Sequence, residues 1–169
     1  MKVYLIGHRG VGKTTAAPLA AARLGLSWLD LDAEIERHAG ASVAQLFARD
    51  GESAFRDRES AALVRASQGD GLVVSTGGGV VVRPGNQEIL RCGICIWLRA
   101  RVDTLVARLQ IDAYRPPLTN RSLLEETEHL LMQRQPIYQA LAKETIDVDD
   151  FTADEVADRI AVACRRHTG

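Results

Sequence analysis

The sequence predicts an α/β fold: a single three-layer domain in which a five-stranded parallel sheet is flanked by helices. Three observations carry this. Short apolar β-rich runs alternate with longer helical patterns along the chain, the signature of consecutive βαβ units. A glycine-rich turn joins the first of those runs directly to a helical segment. The chain has 169 residues, about one typical domain length, with neither internal repeats nor a linker long enough to divide it. Residues 1–169 are therefore read as one domain.

The predicted strands are Lys2–Ile6, Trp28–Leu31, Gly71–Ser75, Ile94–Leu98 and Thr145–Val148, each short, apolar and bounded by Gly, Asp or Arg. A helix is expected from Lys13 through Leu24, stopped by Gly25. Pro18 inside it removes a backbone donor and crowds the preceding turn, so a kink or local bulge is expected there. Three more helix starts are marked by capping boxes, Ser42 with Gln45, Ser122 with Glu125 and Thr152 with Glu155, in which reciprocal bonds satisfy orphan amide donors. Two stretches read as loops. One is Ile111–Asn120, IDAYRPPLTN, where Pro116 and Pro117 forbid helix; the other is Asp149–Phe151.

Hydrophobic residues make up 46% and charged residues 25% of the chain, the balance of an ordinary globular protein rather than a disordered or fibrous one. The formal net charge of −1 argues against nucleic acid or an anionic membrane surface as partner. Charge is nonetheless polarised: Arg99–Arg121 holds five Arg against two Asp, and Asp30–Glu59 holds eight acidic against four basic side chains. The longest apolar runs, such as Leu72–Val74 and Val80–Val82, fall far short of the ~20 residues that span a bilayer. Met1 to Gly7 has neither the apolar stretch nor the cleavage pattern of a signal peptide, so a cytoplasmic location is expected. Cys92, Cys95 and Cys164 are too few and scattered for a disulfide framework and read as inert core thiols.

The strongest chemical signal follows the first strand. Gly7 to Thr14, GHRGVGKT, fits G-x-x-x-x-G-K-[ST] in full. In this motif glycines let the backbone aim amide groups at phosphate oxygens, and the next helix presents the positive end of its dipole. Gly7, Gly10, Val11, Gly12, Thr14 and Thr15 are the candidate phosphate cradle. Lys13, read as an exposed loop charge, should reach the β and γ phosphates, and Thr14 should ligate Mg²⁺. The competing reading is a ligand-free glycine turn. Lys13, however, is one of three lysines beside eighteen arginines, which suggests a position that wants an ammonium. A guanine-specificity N-K-x-D is absent, and the third strand ends in Ser-Thr-Gly rather than in Asp. Instead the chain offers Asp30-Leu31-Asp32 after the second strand, then Phe55-Arg56, then Gly77-Gly78-Gly79 after the third. Ligands of open α/β sheets gather beyond the carboxyl ends of the strands, so these elements are expected to converge on one crevice with the phosphate loop.

The segments GHRGVGKT, LDLD, DGESAFRDRES, STGGG, YRPPL and QRQPIY, in that order and spacing, resemble the shikimate kinase family over nearly the whole chain. The resemblance implies a nucleoside monophosphate kinase type of fold with strand order 2-3-1-4-5. It implies transfer of the γ-phosphoryl group of ATP to the 3-hydroxyl of shikimate, with Mg²⁺, on the route to chorismate and aromatic amino acids. By the same resemblance Asp30 would hold Mg²⁺ through water, and Asp32, Arg56, Gly78 and Arg134 would bind shikimate. A substrate-binding segment would span about 32–60, and a lid about 111–121 would carry Arg115 to the phosphate. A monomer is expected. The loop residues His8 and Arg9 depart from the small or apolar residues associated with the family, and their side chains are expected to face solvent. The lid reads R-P-P-L where R-P-L is more familiar.

The chemistry is coherent without the family. Two arginines suit one planar carboxylate because each guanidinium can donate paired hydrogen bonds, and Arg56 and Arg134 are the candidates. Asp32 would orient the attacking hydroxyl. Gly77, Gly78 and Gly79 would let backbone approach the substrate ring, and Glu59 would hold Arg56 in place. Each has a plainer reading. Arg56 and Glu59 could be an ion-paired helix face, Asp30 and Asp32 helix caps, and the three glycines a tight turn. Val43, Phe47 and Phe55 read as core, and the resemblance also sets them against the substrate ring. Arg108 and the loop around Asp149 are the adenine-side candidates, while His8, His38, His129 and His167 read as surface residues. Two other functions compete: a kinase for another polyol acid such as gluconate, and a nucleotide-binding module without turnover.

Overall fold

The computed structural model describes residues 1–111 and 122–167. Apart from Ile111, the expected lid with Arg115 lies outside them. In chain order the elements are β1 (Lys2–Ile6), α1 (Lys13–Leu24), β2 (Ser27–Asp30), α2 (Leu31–Ala39), α3 (Val43–Ser67), β3 (Leu72–Ser75), a 3-10 turn (Val80–Val82), α4 (Pro84–Arg91), β4 (Ile94–Arg99), α5 (Val102–Ile111), α6 (Leu123–Leu141), β5 (Glu144–Asp147) and α7 (Ala153–Arg166). The five strands form one sheet in the order β2-β3-β1-β4-β5. Every pairing is parallel, as the resemblance implied.

Alternate side chains of each inner strand enter opposite cores. Val3 and Leu5 of β1, with Ile94, Ile96 and Leu98 of β4, pack with α1 and α7. Tyr4 and Ile6, with Cys95 and Trp97, pack on the other face with residues of α3, α4 and α6. The alanine run of α1, Ala16, Ala17, Ala20 and Ala21, is buried, and such small side chains bring a helix close to both sheet and neighbour. All three predicted capping boxes form, at Ser42, Ser122 and Thr152.

Several boundaries differ from the sequence reading. β2 ends at Asp30 rather than Leu31, because Asp30 Oδ1 accepts from the Ala33 amide at 3.0 Å and turns Leu31 into the first residue of α2. β5 starts one residue early, yet Val148 still donates to the Arg99 carbonyl, so the ladder reaches the predicted end. Pro18 produces no bulge, and α1 runs unbroken from Lys13 to Leu24. The carbonyl that the proline deprives of a donor, that of Thr14, lies in the first turn, with almost no helix before it to displace. The opposite surprise is α3, whose backbone leaves helical geometry at Gly51 (φ 81°, ψ 172°), so that Glu52 to Ser67 form a separate helical half carrying Arg56 and Glu59. Cys95 and Cys164 are buried, but Cys92 is exposed rather than in the core.

Candidate active site

The loop between β1 and α1 wraps around the Lys13 ammonium. Lys13 Nζ donates to the carbonyls of Gly7 at 2.7 Å and His8 at 2.9 Å, and the residue is only 7% exposed. It is thus an enclosed organiser of the loop, not the exposed charge expected. Gly12 caps α1 at φ 101°, a left-handed conformation that a residue with a Cβ adopts only with strain. The first amides of α1 consequently open towards the loop.

Beside this loop Thr14 Oγ1 donates to Asp30 Oδ2 at 2.7 Å and lies 3.4 Å from Ser75 Oγ. Asp30 and Ser75 are register partners at the ends of β2 and β3, so sheet pairing itself brings the two oxygens together. One Asp30 carboxylate oxygen carries the helix cap and the other accepts from Thr14. Ser75 was not anticipated. Its only signal was its position at the end of β3, where a carboxylate was sought and not found.

On the neighbouring side, Asp32, Arg56, Glu59 and Arg134 close around Gly77–Gly79. A Cβ built on Gly77 would lie 2.5 Å from Glu59 Oε1 and 3.1 Å from Asp32 Oδ1. One on Gly78 would lie 3.6 Å from Arg134 Nη1, and one on Gly79 would fall inside the Arg56 guanidinium. Glycine is thus required here by close approach and not by backbone conformation, since the positive-φ glycines lie elsewhere. Arg56 Nη1 donates to Glu59 Oε2 at 2.8 Å and Nη2 to Glu52 Oε1 at 3.3 Å. Burial works against the Arg56 charge, but Glu59 and Glu52 outweigh it and raise the pKa. Burial raises that of Glu59, with Arg56 opposing. Tyr138, one turn after Arg134 on α6, donates its hydroxyl to the Gly78 carbonyl at 2.5 Å, and burial pushes its pKa up to about 12, so it remains a neutral donor. The i, i+4 spacing from Arg134 was the available signal for it. Phe47 and Phe55 stack at 4.5 Å in the same core layer, with Val43 packed against that layer.

His8 and Arg9 overturn the expectation of solvent-facing side chains. His8 is 2% exposed; its Nδ1 lies 2.8 Å from the Arg9 carbonyl and its Nε2 has no partner among the described residues. Burial pushes its pKa down to about 4, and the cations Lys13, Arg134 and Arg9 add to this against the opposing Arg9 carbonyl. Arg9 forms a buried ion pair with Glu126 in the first turn of α6. A helix more than a hundred residues later covers the loop, a contact that no local pattern contains. His38 and His167 are exposed, as expected, with ring nitrogens 3.0 and 3.6 Å from carboxylate oxygens of Glu34 and Glu144.

On the outer side of the loop Arg108 Nη1 donates to the carbonyls of Gly10 and Val11 at 3.4 and 3.2 Å. It borders a cleft of about 280 Å³ shared with Val11, Thr15, Val148, Phe151 and Ala153. The sequence pointed to Arg108 and the Asp149 loop, which ends at Phe151, but not to the apolar side chains Val148 and Ala153.

This arrangement has close counterparts. The shikimate kinase family model matches residues 9–165. The chain is 41% identical to a shikimate kinase of Rhodopirellula baltica, over 99% of this chain and 92% of that one. It is 43% identical to a shikimate kinase of a Synechococcus species, over 94% and 79%. The structure superposes with a TM-score of 0.94 on a shikimate kinase from Acinetobacter baumannii in complex with shikimate, at 34% identity and covering 99% of this chain and 94% of that one. A parallel sheet in the order β2-β3-β1-β4-β5, a phosphate loop after β1 and a likeness that runs the full length place this chain in the shikimate kinase family.

Proposed function

We propose that the protein transfers the γ-phosphoryl group of ATP to the 3-hydroxyl of shikimate, giving shikimate 3-phosphate and ADP, a step in aromatic amino acid biosynthesis. The observation that carries this is the closure of Arg56, Asp32 and Arg134 around Gly77–Gly79 beside the phosphate loop. It joins an anion-binding corner and a hydroxyl-orienting carboxylate to a nucleotide site.

In the reaction the substrate hydroxyl oxygen forms a bond to the γ-phosphorus, the bond from that phosphorus to the β–γ bridging oxygen breaks, and the hydroxyl proton departs. Asp32 orients the hydroxyl and is the nearest carboxylate to receive the proton. Arg56 and Arg134 grip the carboxylate of shikimate, and the Gly78 and Gly79 amides face its ring hydroxyls. Lys13 leaves its carbonyl partners for the β and γ phosphates. The oxygens of Thr14 and Asp30, with Ser75 beside them, are hard donors that would hold Mg²⁺, Asp30 through water by the family resemblance, and the ion would supply neutralisation of charge on the phosphate oxygens. The cleft beside Arg108 receives the adenine ring against Phe151 and Val148. Arg115, on sequence grounds, meets the transferring phosphate when the site closes. ATP as co-substrate and the three free cysteines support a cytoplasmic location, and a monomer is proposed from the sequence expectation alone. No helix among the described residues is long and apolar enough to cross a membrane.

The test is ADP release measured with ATP and Mg²⁺ alone, then with shikimate, then with other hydroxy acids including gluconate. Release should require shikimate and exceed that with gluconate by orders of magnitude. Equal release with gluconate would reassign the substrate, and release independent of any acid would leave only an ATPase.

A further inference from the structure

We propose that Glu52 is a resident competitor for the anion-binding arginine, and that by occupying Arg56 it weakens the binding of every carboxylate to the crevice, the substrate included. This rests on the reading of that crevice given above. Both terminal nitrogens of Arg56 are engaged, Nη1 with Glu59 at 2.8 Å and Nη2 with Glu52 at 3.3 Å, and the two partners are unlike. The Glu59 side chain is fully buried, wedged against Gly77, and has no route to water. The Glu52 side chain is 65% exposed, makes one long bond, and begins the second half of α3 directly after the break at Gly51.

Either edge by which the guanidinium could give paired N–H bonds to an incoming carboxylate includes Nη2, the nitrogen that Glu52 holds. Glu59 cannot yield, because a buried carboxylate without its counter-ion is costly. Glu52 can, because it withdraws into solvent that already hydrates most of it and gives up only one long bond of 3.3 Å. Binding is therefore an exchange of one carboxylate for another. A ligand that offers a carboxylate alone gains little by the exchange. A ligand that also reaches Arg134, Asp32 and the Gly77–Gly79 backbone gains the difference. Glu52 thus sets one penalty on every carboxylate, which leaves simple organic anions weakly bound while a ligand that makes the further contacts still binds.

The experiment measures benzoate and shikimate binding by calorimetry, and shikimate kinetics, in the parent and in Glu52→Gln and Glu52→Ala. Both variants should bind benzoate roughly two- to fivefold more tightly than the parent, as expected for loss of one long ion pair whose carboxylate is exposed and whose guanidinium is buried. KM for shikimate should fall by a similar factor, the change lying in KM rather than kcat. In an Arg56→Gln background the Glu52 substitutions should have no effect on benzoate, since the competed site is gone. Benzoate affinity unchanged or weakened in both variants would overturn the proposal and make Glu52 a support for Arg56. A parent that fails to phosphorylate shikimate would overturn the functional reading instead, and the benzoate arm would still decide the role of Glu52.

Discussion

Thr14 on the first turn of α1 and Asp30 at the end of β2 are joined by a 2.7 Å hydrogen bond, which sets a hydroxyl and a carboxylate side by side at the mouth of the phosphate loop. The other Asp30 oxygen caps α2, so charge and cap can be separated by substitution. Asparagine caps helices about as well as aspartate but brings no charge. Asp30→Asn should leave thermal stability within about 0.5 kcal/mol, while the Mg²⁺ concentration for half-maximal activity rises about tenfold, as for loss of an interaction of roughly 1.4 kcal/mol. A magnesium titration of both proteins with a melting curve of each checks it.

Gly79 lies where a side chain would intrude on Arg56. Gly79→Ala forces the guanidinium to move at a cost of about 1–3 kcal/mol. KM for shikimate should rise by about tenfold or more, with KM for ATP nearly constant. An unchanged shikimate KM would detach Arg56 from the substrate.

Lys13 contributes to the resting loop as well as to chemistry. Lys13→Ala removes the donor shared by the Gly7 and His8 carbonyls and should destabilise the fold by about 1–3 kcal/mol. Turnover should fall by roughly 10² to 10³ or more. Assays well below the melting transition separate the two losses.

The buried His8 predicts an acid limb in stability. Its pKa is about 4 in the fold against an ordinary 6.5, so between these values the unfolded chain binds a proton that the native protein does not. Stability is therefore full above pH 6.5, falls as pH drops towards 4, and loses no more from this group below that. The gap corresponds to roughly 3 kcal/mol. His8→Asn, whose side-chain amide can replace the Nδ1 contact without titrating, should flatten this limb in denaturant unfolding measured from pH 7 to pH 4. Parallel profiles for parent and variant would contradict it.

Much of this architecture was legible in the chain because it depends on local chemistry. The three capping boxes, the loop from Gly7 to Thr14 and the five strand runs are written in neighbouring residues, and the sheet needs only their periodicity. What escaped depends on distant contacts. The burial of His8 and Arg9 is made by Glu126 and α6, and Val148 and Ala153 reach the loop only through the fold. Asp30 ended its strand early because its side chain competes for the next helix, a choice that alternation of apolar residues does not encode. Arg56 and Glu59 read alone as an ordinary helix face, and only Gly77–Gly79, folded against them, distinguishes them as a site. Ser75 differs again: its position was visible, but a hydroxyl there carried no signal without Thr14 and Asp30 beside it.

The most direct measurement of the central claim is identification of the product by phosphorus NMR and mass spectrometry after incubation with ATP, Mg²⁺ and shikimate. The account predicts one new phosphate monoester on the 3-hydroxyl of shikimate, formed in equal amount to ADP and absent when shikimate or the divalent ion is withheld. Inorganic phosphate as the phosphorus product, or phosphorylation at a different hydroxyl, would contradict it.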